Sequence, residues 1–324
     1  MLPARSNQRF RLQILDKAEE MSKVEELQRI VWPGNDSEVV PGHLLLTAAH
    51  NGGLVIGAYP ADNPEGDINS LRPESDNVQD GLQFSDSLVG FVFGFPGLYE
   101  TPDGPRLKHC SHMLAVHPAM RNMGLGFALK RAQWQMVRRQ GIDRITWTYD
   151  PLLSRNAHLN IARLGAVCDT YIQDAYGHMH DELNAGLPSD RLQVDWWLNS
   201  QRVNRRLSRR PRLRLDLAHF LAAETAIVNP TQINQAGLPS PVARDPCPDI
   251  EFDGETQPLL LLEIPNDFLG IKSIDIDLAL AWRFHTRTLF QGLFTAGFII
   301  TDFIHLPGTY PRSFYVLSYG EQTL

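Results

Sequence analysis

The sequence predicts an α/β protein with a mixed sheet flanked by helices. Three observations predict it. Short apolar runs bounded by Gly, Pro and Asp recur along the chain, as at Leu54-Val55-Ile56-Gly57-Ala58-Tyr59 and at Ser111 to Val116. Between such runs lie stretches with apolar residues at helical spacing, above all Leu125, Ala128, Leu129, Ala132 and Met136. Around residues 111–140 a strand pattern, a Gly-containing loop and a helix pattern follow one another directly.

The elements are expected in this order. Residues 10–31 predict a helix, with Ile14, Ala18, Met21, Val24, Leu27 and Val31 on one face and a break near Ser22. Pro33-Gly34-Asn35-Asp36 ends it. A strand at 54–59, an exposed inserted loop at 60–86 rich in Pro, Asp, Asn, Ser and Gly, and a strand from Ser87 to Phe95 come next. After the strand 111–116, Pro118 stops the chain, and the helix from Leu125 ends where Gly141 stands as a C-cap. Arg144 to Tyr149 is a strand, Asp150-Pro151 turns, Asn156 to Leu164 is a short helix ended by Gly165, and Val167 to Tyr171 is a strand. A loop at 173–190 leads to a strand at 192–198, whose Trp196 and Trp197 face opposite sides, one toward the core and one toward a domain interface. Beyond a loop-rich stretch come a strand at 259–264, a helix at about 274–296, Gly297, and strands at 298–304 and 313–317. Three regions are therefore expected: residues 1–200 as a ligand-binding domain, 201–250 as an Arg-rich linker and loop, and 251–324 as an α/β region packing on the first.

Composition narrows the function classes. The chain has 324 residues, 43% of them hydrophobic, enough for more than one core. The formal net charge is −7, from 30 basic and 37 acidic side chains, the wrong sign for a non-specific nucleic-acid binder. The three cysteines, Cys110, Cys168 and Cys247, fit no metal spacing and cannot all pair, which favours a reducing compartment. No secretory h-region and no membrane-length apolar run stands out, so a cytoplasmic protein is expected.

The chemistry concentrates at Arg121-Asn122-Met123-Gly124-Leu125-Gly126. The first N–H groups of a helix have no partner within it, and its dipole adds partial positive charge. Glycines let a backbone approach a phosphate, and Arg121 adds a full charge at the mouth. A pyrophosphate suits such a place. The plainer alternative is that Gly124 and Gly126 only shape a strand-to-helix turn.

Leu114-Ala115-Val116-His117-Pro118 followed by Arg121-x-x-Gly124-x-Gly126 resembles motif A of the GNAT acetyltransferase superfamily. Asn156-Ala157 through Leu164-Gly165-Ala166 resembles its motif B. More narrowly, Ser111 to Val116, Asp150-Pro151-Leu152, Asn160 to Gly165, Glu263 to Asp267 and Ala281-Trp282-Arg283 are similar to a group of GNAT proteins with an added C-terminal region. The resemblance implies a GNAT-type mixed sheet that splays between residues 111–116 and 144–149, with acetyl-CoA or a related acyl-CoA as co-substrate and no metal. It implies that backbone groups of Leu114, Ala115 and Val116 pair with the pantetheine arm. It gives the pyrophosphate to the loop 121–126, through the amides of Met123 to Gly126, and Asn156 to the motif B cofactor contact. An amine of a small molecule or a peptide would attack the thioester directly. The region after residue 250 repeats a strand–helix–Gly–strand order, as a degenerate GNAT-like half without a second CoA site.

One position departs from the family. The tyrosine that protonates the departing thiolate in many members is here Ile161. Tyr149 is the candidate acid, set against ordinary packing of a strand aromatic. His112 is the candidate base, because alternation puts it on the side of Leu114 and Val116, set against a structural histidine. Glu100, Asp150 and Cys110 are lesser candidates. Three functions compete: an N-acyltransferase, a module that binds acyl-CoA without turnover, and a nucleic-acid-associated protein using the seven arginines between Arg202 and Arg214, which otherwise form a solvated linker helix.

Overall fold

A computed structural model describes residues 10–34, 38–61, 87–177, 185–208, 215–242 and 259–320. Nearly all of the loop expected at 60–86, the arginines from 209 to 214, and Cys247 lie outside the described residues. The chain divides into two compact units, Met1–Ile142 and Asp143–Leu324, so the division falls inside the stretch expected to form one domain.

The first unit is a sheet covered by helices on both faces. Its elements are β1 (Phe10–Ile14), α1 (Ala18–Val31), α2 (Gly42–His50), β2 (Leu54–Pro60), β3 (Gly90–Tyr99), β4 (Arg106–Val116), a single 3₁₀ turn (Pro118–Met120) and α3 (Leu125–Arg139). The strands pair antiparallel in chain order. Residues 10–14 were expected to be helical and are a strand instead. Phe10, Leu12 and Ile14 alternate with Arg11 and Gln13, and their pairing with β2 sets the period at two. The helix begins only at Ala18, where Glu20 accepts hydrogen bonds from the backbone N–H of Asp16 (2.9 Å) and Lys17 (3.1 Å), and it runs unbroken through Ser22. Met21, Val24 and Leu27 of α1 are buried with Phe91, Phe93 and Ala115, each of these side chains except the alanine contributing roughly 1.5–3 kcal/mol.

Helix α3 covers the other face. It comes close to β3 at Gly90, where a Cβ would lie 3.0 Å from Leu125 and 3.2 Å from Leu129. Its buried stripe is Leu125, Leu129, Lys130, Gln133 and Val137, not the expected run through Ala132 and Met136. Two polar side chains are therefore inside. Lys130 Nζ donates to Ser111 Oγ (2.8 Å) and Gln133 Oε1 (3.2 Å), and Gln133 Nε2 meets His109 Nε2 at 3.2 Å. Gly141 stands at φ +78° just past the helix, as expected of a C-terminal glycine.

The second unit contains two copies of one topology. The first is β5 (Arg144–Tyr149), α4 (Ser154–Ala157) continuing as a π-helical turn (His158–Arg163), β6 (Val167–Ile172) and β7 (Arg191–Trp197). There follow α5 (Gln201–Leu207), α6 (Leu217–Ala222) and three short strands, β8 (Ala226–Ile227), β9 (Thr231–Ile233) and β10 (Pro239–Pro241). The second copy is β11 (Leu259–Ile264), α7 (Phe268–Ile274), α8 (Ile276–Thr295), β12 (Phe298–Leu306) and β13 (Arg312–Tyr319). The strand order across this unit is β5-β7-β6-β12-β13-β11-β8. In each copy the third strand lies between the other two and runs antiparallel to both.

The copies meet antiparallel at β6 and β12, where Cys168 pairs with Ile300. Cys168 is three residues after Gly165 and Ile300 three after Gly297, and both glycines have positive φ. Each of β6 and β12 carries one register irregularity just beyond that point. The two βαββ modules are thus related by a pseudo-two-fold axis through the β6–β12 pair. This is the repeat expected of the C-terminal region, and it places that region directly on β6.

The arginine stretch is not a solvated linker over its described part. Val203 and Leu207 of α5 are buried, Arg202 Nε donates to the Gly165 carbonyl (3.0 Å), and Arg206 donates to the Ala162 carbonyl (3.0 Å) and to Asp302 (2.7 Å). Of the tryptophan pair, Trp196 is buried and donates to the Leu164 carbonyl (2.9 Å), while the Arg144 guanidinium lies 4.8 Å from the Trp197 ring. Among the described residues no helix is long and apolar enough to cross a membrane.

Candidate functional site

Strand β4 delivers the loop to the start of α3. After Val116, His117 Nδ1 accepts from the Ala119 amide (3.3 Å) and closes the 3₁₀ turn. The chain then passes through two left-handed residues, Asn122 at φ +67° and Gly124 at φ +80°. Asn is one of the few residues besides Gly that tolerates this region. Gly124 is the N-cap of α3, and no side chain caps the helix. The first backbone bond into the helix runs from Ala128 N–H to the Gly124 carbonyl at 3.1 Å. Among the described residues, the amides of Gly124, Leu125 and Gly126 have no acceptor. Gly124 is exposed, and nothing described lies within 4 Å of where its Cβ would stand.

Arg121 is exposed beside this opening. Its charge is felt locally: the His117 pKa is lowered by burial first and by Arg121 second. The positive end of a four-turn helix, open amides and a guanidinium together form an anion site. Ala115 is buried in the sheet, while Leu114 and Val116 are half-buried.

His112 is not where alternation puts it. β4 pairs Met113 with Phe93 and Ser111 with Gly94, which leaves His112 as the extra residue of a β-bulge. A bulge flips the alternation. The His112 ring packs against Phe93 and Phe95, at 6.0 Å from each, whereas Leu114 pairs with Val92 and belongs to the other face. Burial against these rings lowers its pKa, which favours the neutral form. Cys110 pairs with Phe95 and lies on this same side. Glu100 is exposed past the end of β3, roughly 30 Å of strand from Gly90.

In the second unit, Tyr149 is engaged and enclosed. Its hydroxyl donates to Tyr315 Oη (3.2 Å), which donates to the Pro151 carbonyl (2.8 Å). Burial, then the Tyr315 hydroxyl, raises the Tyr149 pKa well above that of a free phenol. Ile161 is also buried. Asp150 is held in a bidentate pair with Arg283, at 2.9 and 2.5 Å, and its remaining contact is the Leu152 amide (2.8 Å). Neither Tyr149 nor Asp150 has the exposure expected of a proton donor or acceptor for a substrate.

Asn156 stands at the start of the short helix α4, half-buried, and its backbone N–H donates to the Leu153 carbonyl at 2.9 Å. Its carboxamide makes no hydrogen bond among the described residues.

No protein-family profile matches the chain, and no curated protein sequence does. Solved structures do resemble it, and they are acetyltransferases. A protein of Desulfovibrio desulfuricans assigned to the GNAT family shares 14% identity over 58% of this chain and 99% of its own, with a TM-score of 0.39. NAA60 of Arabidopsis thaliana, solved with a bisubstrate analogue, shares 14% over 58% of this chain and 97% of its own, at 0.41. Aminoglycoside 6′-acetyltransferase type Ii shares 14% over 58% and 96%, at 0.38. Likeness at this identity and TM-score bears on neither the activity nor the substrate of this chain.

The bulge at His112 and the polar layer between α3 and β4 escaped sequence reasoning. Lys130 and Gln133 were the available signal for the second, since with Leu125, Leu129 and Val137 they complete one helical stripe.

Proposed function

We propose that this chain is an acyl-CoA-dependent N-acyltransferase whose co-substrate pyrophosphate sits on the start of α3. The observation that carries the reading is the uncapped helix N-terminus: Gly124, Leu125 and Gly126 amides without acceptors among the described residues, opening beside Arg121. In this reading Arg121, Asn122, Met123, Gly124, Leu125 and Gly126 cradle the diphosphate. Backbone groups of Leu114, Ala115 and Val116 align the pantetheine arm. The resemblance of residues 111–126 to motif A supports acyl-CoA over another diphosphate.

The chemistry is a direct transfer. An amine nitrogen attacks the thioester carbonyl, the C–N bond forms, the C–S bond breaks, and CoA leaves as thiolate. A strand N–H near Leu114 stabilises the oxyanion. A thiolate is a good leaving group, so an acid is dispensable at that step. The amine must lose its ammonium proton, and His112, whose lowered pKa keeps it neutral, serves if the amine approaches from the Phe93–Phe95 side. The test is release of CoA thiol from acetyl-CoA over a panel of small amines and peptide N-termini. Amine-dependent release supports the reading.

A second reading keeps the site and drops the turnover. Tyr149 is enclosed with Tyr315 and Ile161 is buried, so neither position offers an acid. Binding of acyl-CoA without amine-dependent thiol release would favour a regulatory module that senses acyl-CoA.

A further inference from the structure

The face of β3 and β4 that carries His112 runs on past the core of the first unit as a strip of rings. Phe93, Phe95 and Gly97 follow one another along β3 at the strand period, and across the ladder Cys110 stands opposite Phe95 and Lys108 opposite Gly97. His112, set out of the ladder by the bulge, closes a triangle with the two phenylalanines. The ring centroids of Phe93 and Phe95 are 5.9 Å apart, and the His112 ring lies 6.0 Å from each. Phe93 is buried with Met21 of α1 and Leu45 of α2, so one corner of the triangle is anchored in the core. The other two reach solvent: Phe95 is 37% exposed, and His112 is exposed.

Beyond the rings the strip is small and then cationic. A Cβ at Gly97 would stand 2.7 Å from Cys110 Sγ and 3.8 Å from Lys108 Cε, so glycine keeps the strip flat and lets both β4 side chains lie across β3. Along this face, from the Phe93–Met113 pair to the Gly97–Lys108 pair, the side chains include no carboxylate, and Lys108 brings a positive charge. The His112 imidazole makes no hydrogen bond among the described residues. Its pKa is lowered by burial, with no contribution from a charged side chain among those residues.

We infer that this strip is the acceptor platform of the acyl transfer, and that it selects a primary amine with an aromatic body and no second positive charge. This rests on the base role given to His112 above. An amine nitrogen within reach of the imidazole leaves its substituent over Phe95, the neighbouring ring that is open. An aromatic substituent packs there in an offset or edge-on arrangement, which contributes roughly 0.5–1.5 kcal/mol beyond the area it buries. The ammonium is drawn to the ring faces, yet with water displaced and no carboxylate on the strip its proton is held less firmly than in solution. It gives that proton to His112 and thence to water. The freed nitrogen pair forms the C–N bond, the C–S bond breaks, and the nitrogen's second proton goes to the CoA thiolate. A polyamine would bring its further charges against Lys108.

The experiment measures kcat/KM for 2-phenylethylamine, ethylamine and spermidine with acetyl-CoA, in the full-length chain and in Phe95→Ala and Lys108→Glu. In wild type 2-phenylethylamine should exceed each of the others by about ten-fold or more. Phe95→Ala should bring the ratio of 2-phenylethylamine to ethylamine close to one, mainly through KM. Lys108→Glu should raise spermidine several-fold relative to 2-phenylethylamine. Should Phe95→Ala fail to fold, Phe95→Leu carries the same comparison. Equal or better use of ethylamine or spermidine by wild type overturns the inference. So does a Phe95→Ala variant that loses all three amines equally, which is what a ring that merely supports His112 would give. If no amine is acylated, calorimetric titration of 2-phenylethylamine into the CoA-loaded chain decides. Binding that Phe95→Ala abolishes keeps the platform and removes the turnover; no binding to wild type removes the platform as well.

Discussion

Lys130 Nζ lies 2.8 Å from Ser111 Oγ, in a buried layer between α3 and β4 that also holds Gln133 and His109. Burial lowers the Lys130 pKa well below that of a free lysine. The His109 pKa falls from 6.5 to about 4, through burial first and Lys130 second. The unfolded chain therefore binds a proton at His109 between pH 4 and 6.5 that the folded chain does not. Stability should rise with pH through that window and be lost as pH falls through it, by on the order of 3 kcal/mol in full. Lys130, whose pKa is also lowered by burial, adds the same sign below the pH at which a free lysine titrates. Urea unfolding at half-unit pH steps checks this. A His109→Gln variant should flatten the slope below pH 6.5, and an unchanged slope would contradict the assignment.

Replacing Lys130 with methionine should leave the protein folded and raise its stability near neutral pH. The amine is solvated in the unfolded chain and buried here, and a well-packed apolar side chain of similar length avoids that cost. The melting temperature at pH 7 is the measurement. Gln133 loses one donor in this variant but keeps Ser111, so a severe loss of stability is not expected.

Tyr149→Phe should leave amine-dependent thiol release within about three-fold of wild type, since its hydroxyl serves Tyr315 and not a substrate. It removes one buried hydrogen bond, a cost of about 1 kcal/mol in stability. Steady-state kinetics together with a melting curve separate the two effects. A loss of a hundred-fold or more in turnover would restore Tyr149 as the acid.

Arg121→Gln should weaken CoA binding several-fold, a charge-assisted contact to phosphate contributing roughly 1.5–3 kcal/mol before solvent exposure reduces it. The wild-type affinity should fall as salt is raised, and the variant should show a shallower dependence. Calorimetric titration at low and high ionic strength measures both.

Local patterns carried much of this structure. The runs at 54–59, 144–149 and 259–264 are strands because apolar, β-branched and aromatic residues cluster between Gly, Pro and Asp. The loop 121–126 was legible because a strand, two left-handed positions and a helix need Gly and Asn at set places. What failed was alternation carried past an irregularity. Nothing in Ser111-His112-Met113 announces a bulge, since an extra residue shows only once a partner strand exists to count against. Residues 10–14 carried both periods at once, and pairing with β2 decided between them. Arg202 and Arg206 looked like surface charge because a sequence does not show which carbonyls and carboxylates other elements bring to them.

The central claim is that the open amides at the start of α3 hold a diphosphate. Gly124 tests it directly, because nothing described lies within 4 Å of its Cβ position and a large side chain there would compete with the ligand for the loop. The left-handed φ adds about 1 kcal/mol of strain for any other residue, so Gly124→Trp should fold. The deciding measurement is calorimetric titration of CoA into wild type and Gly124→Trp, with circular dichroism to confirm that both are folded. Saturable binding to wild type and none to a folded Gly124→Trp is the predicted result. Equal binding by both, or no binding by wild type at millimolar CoA, would contradict the claim.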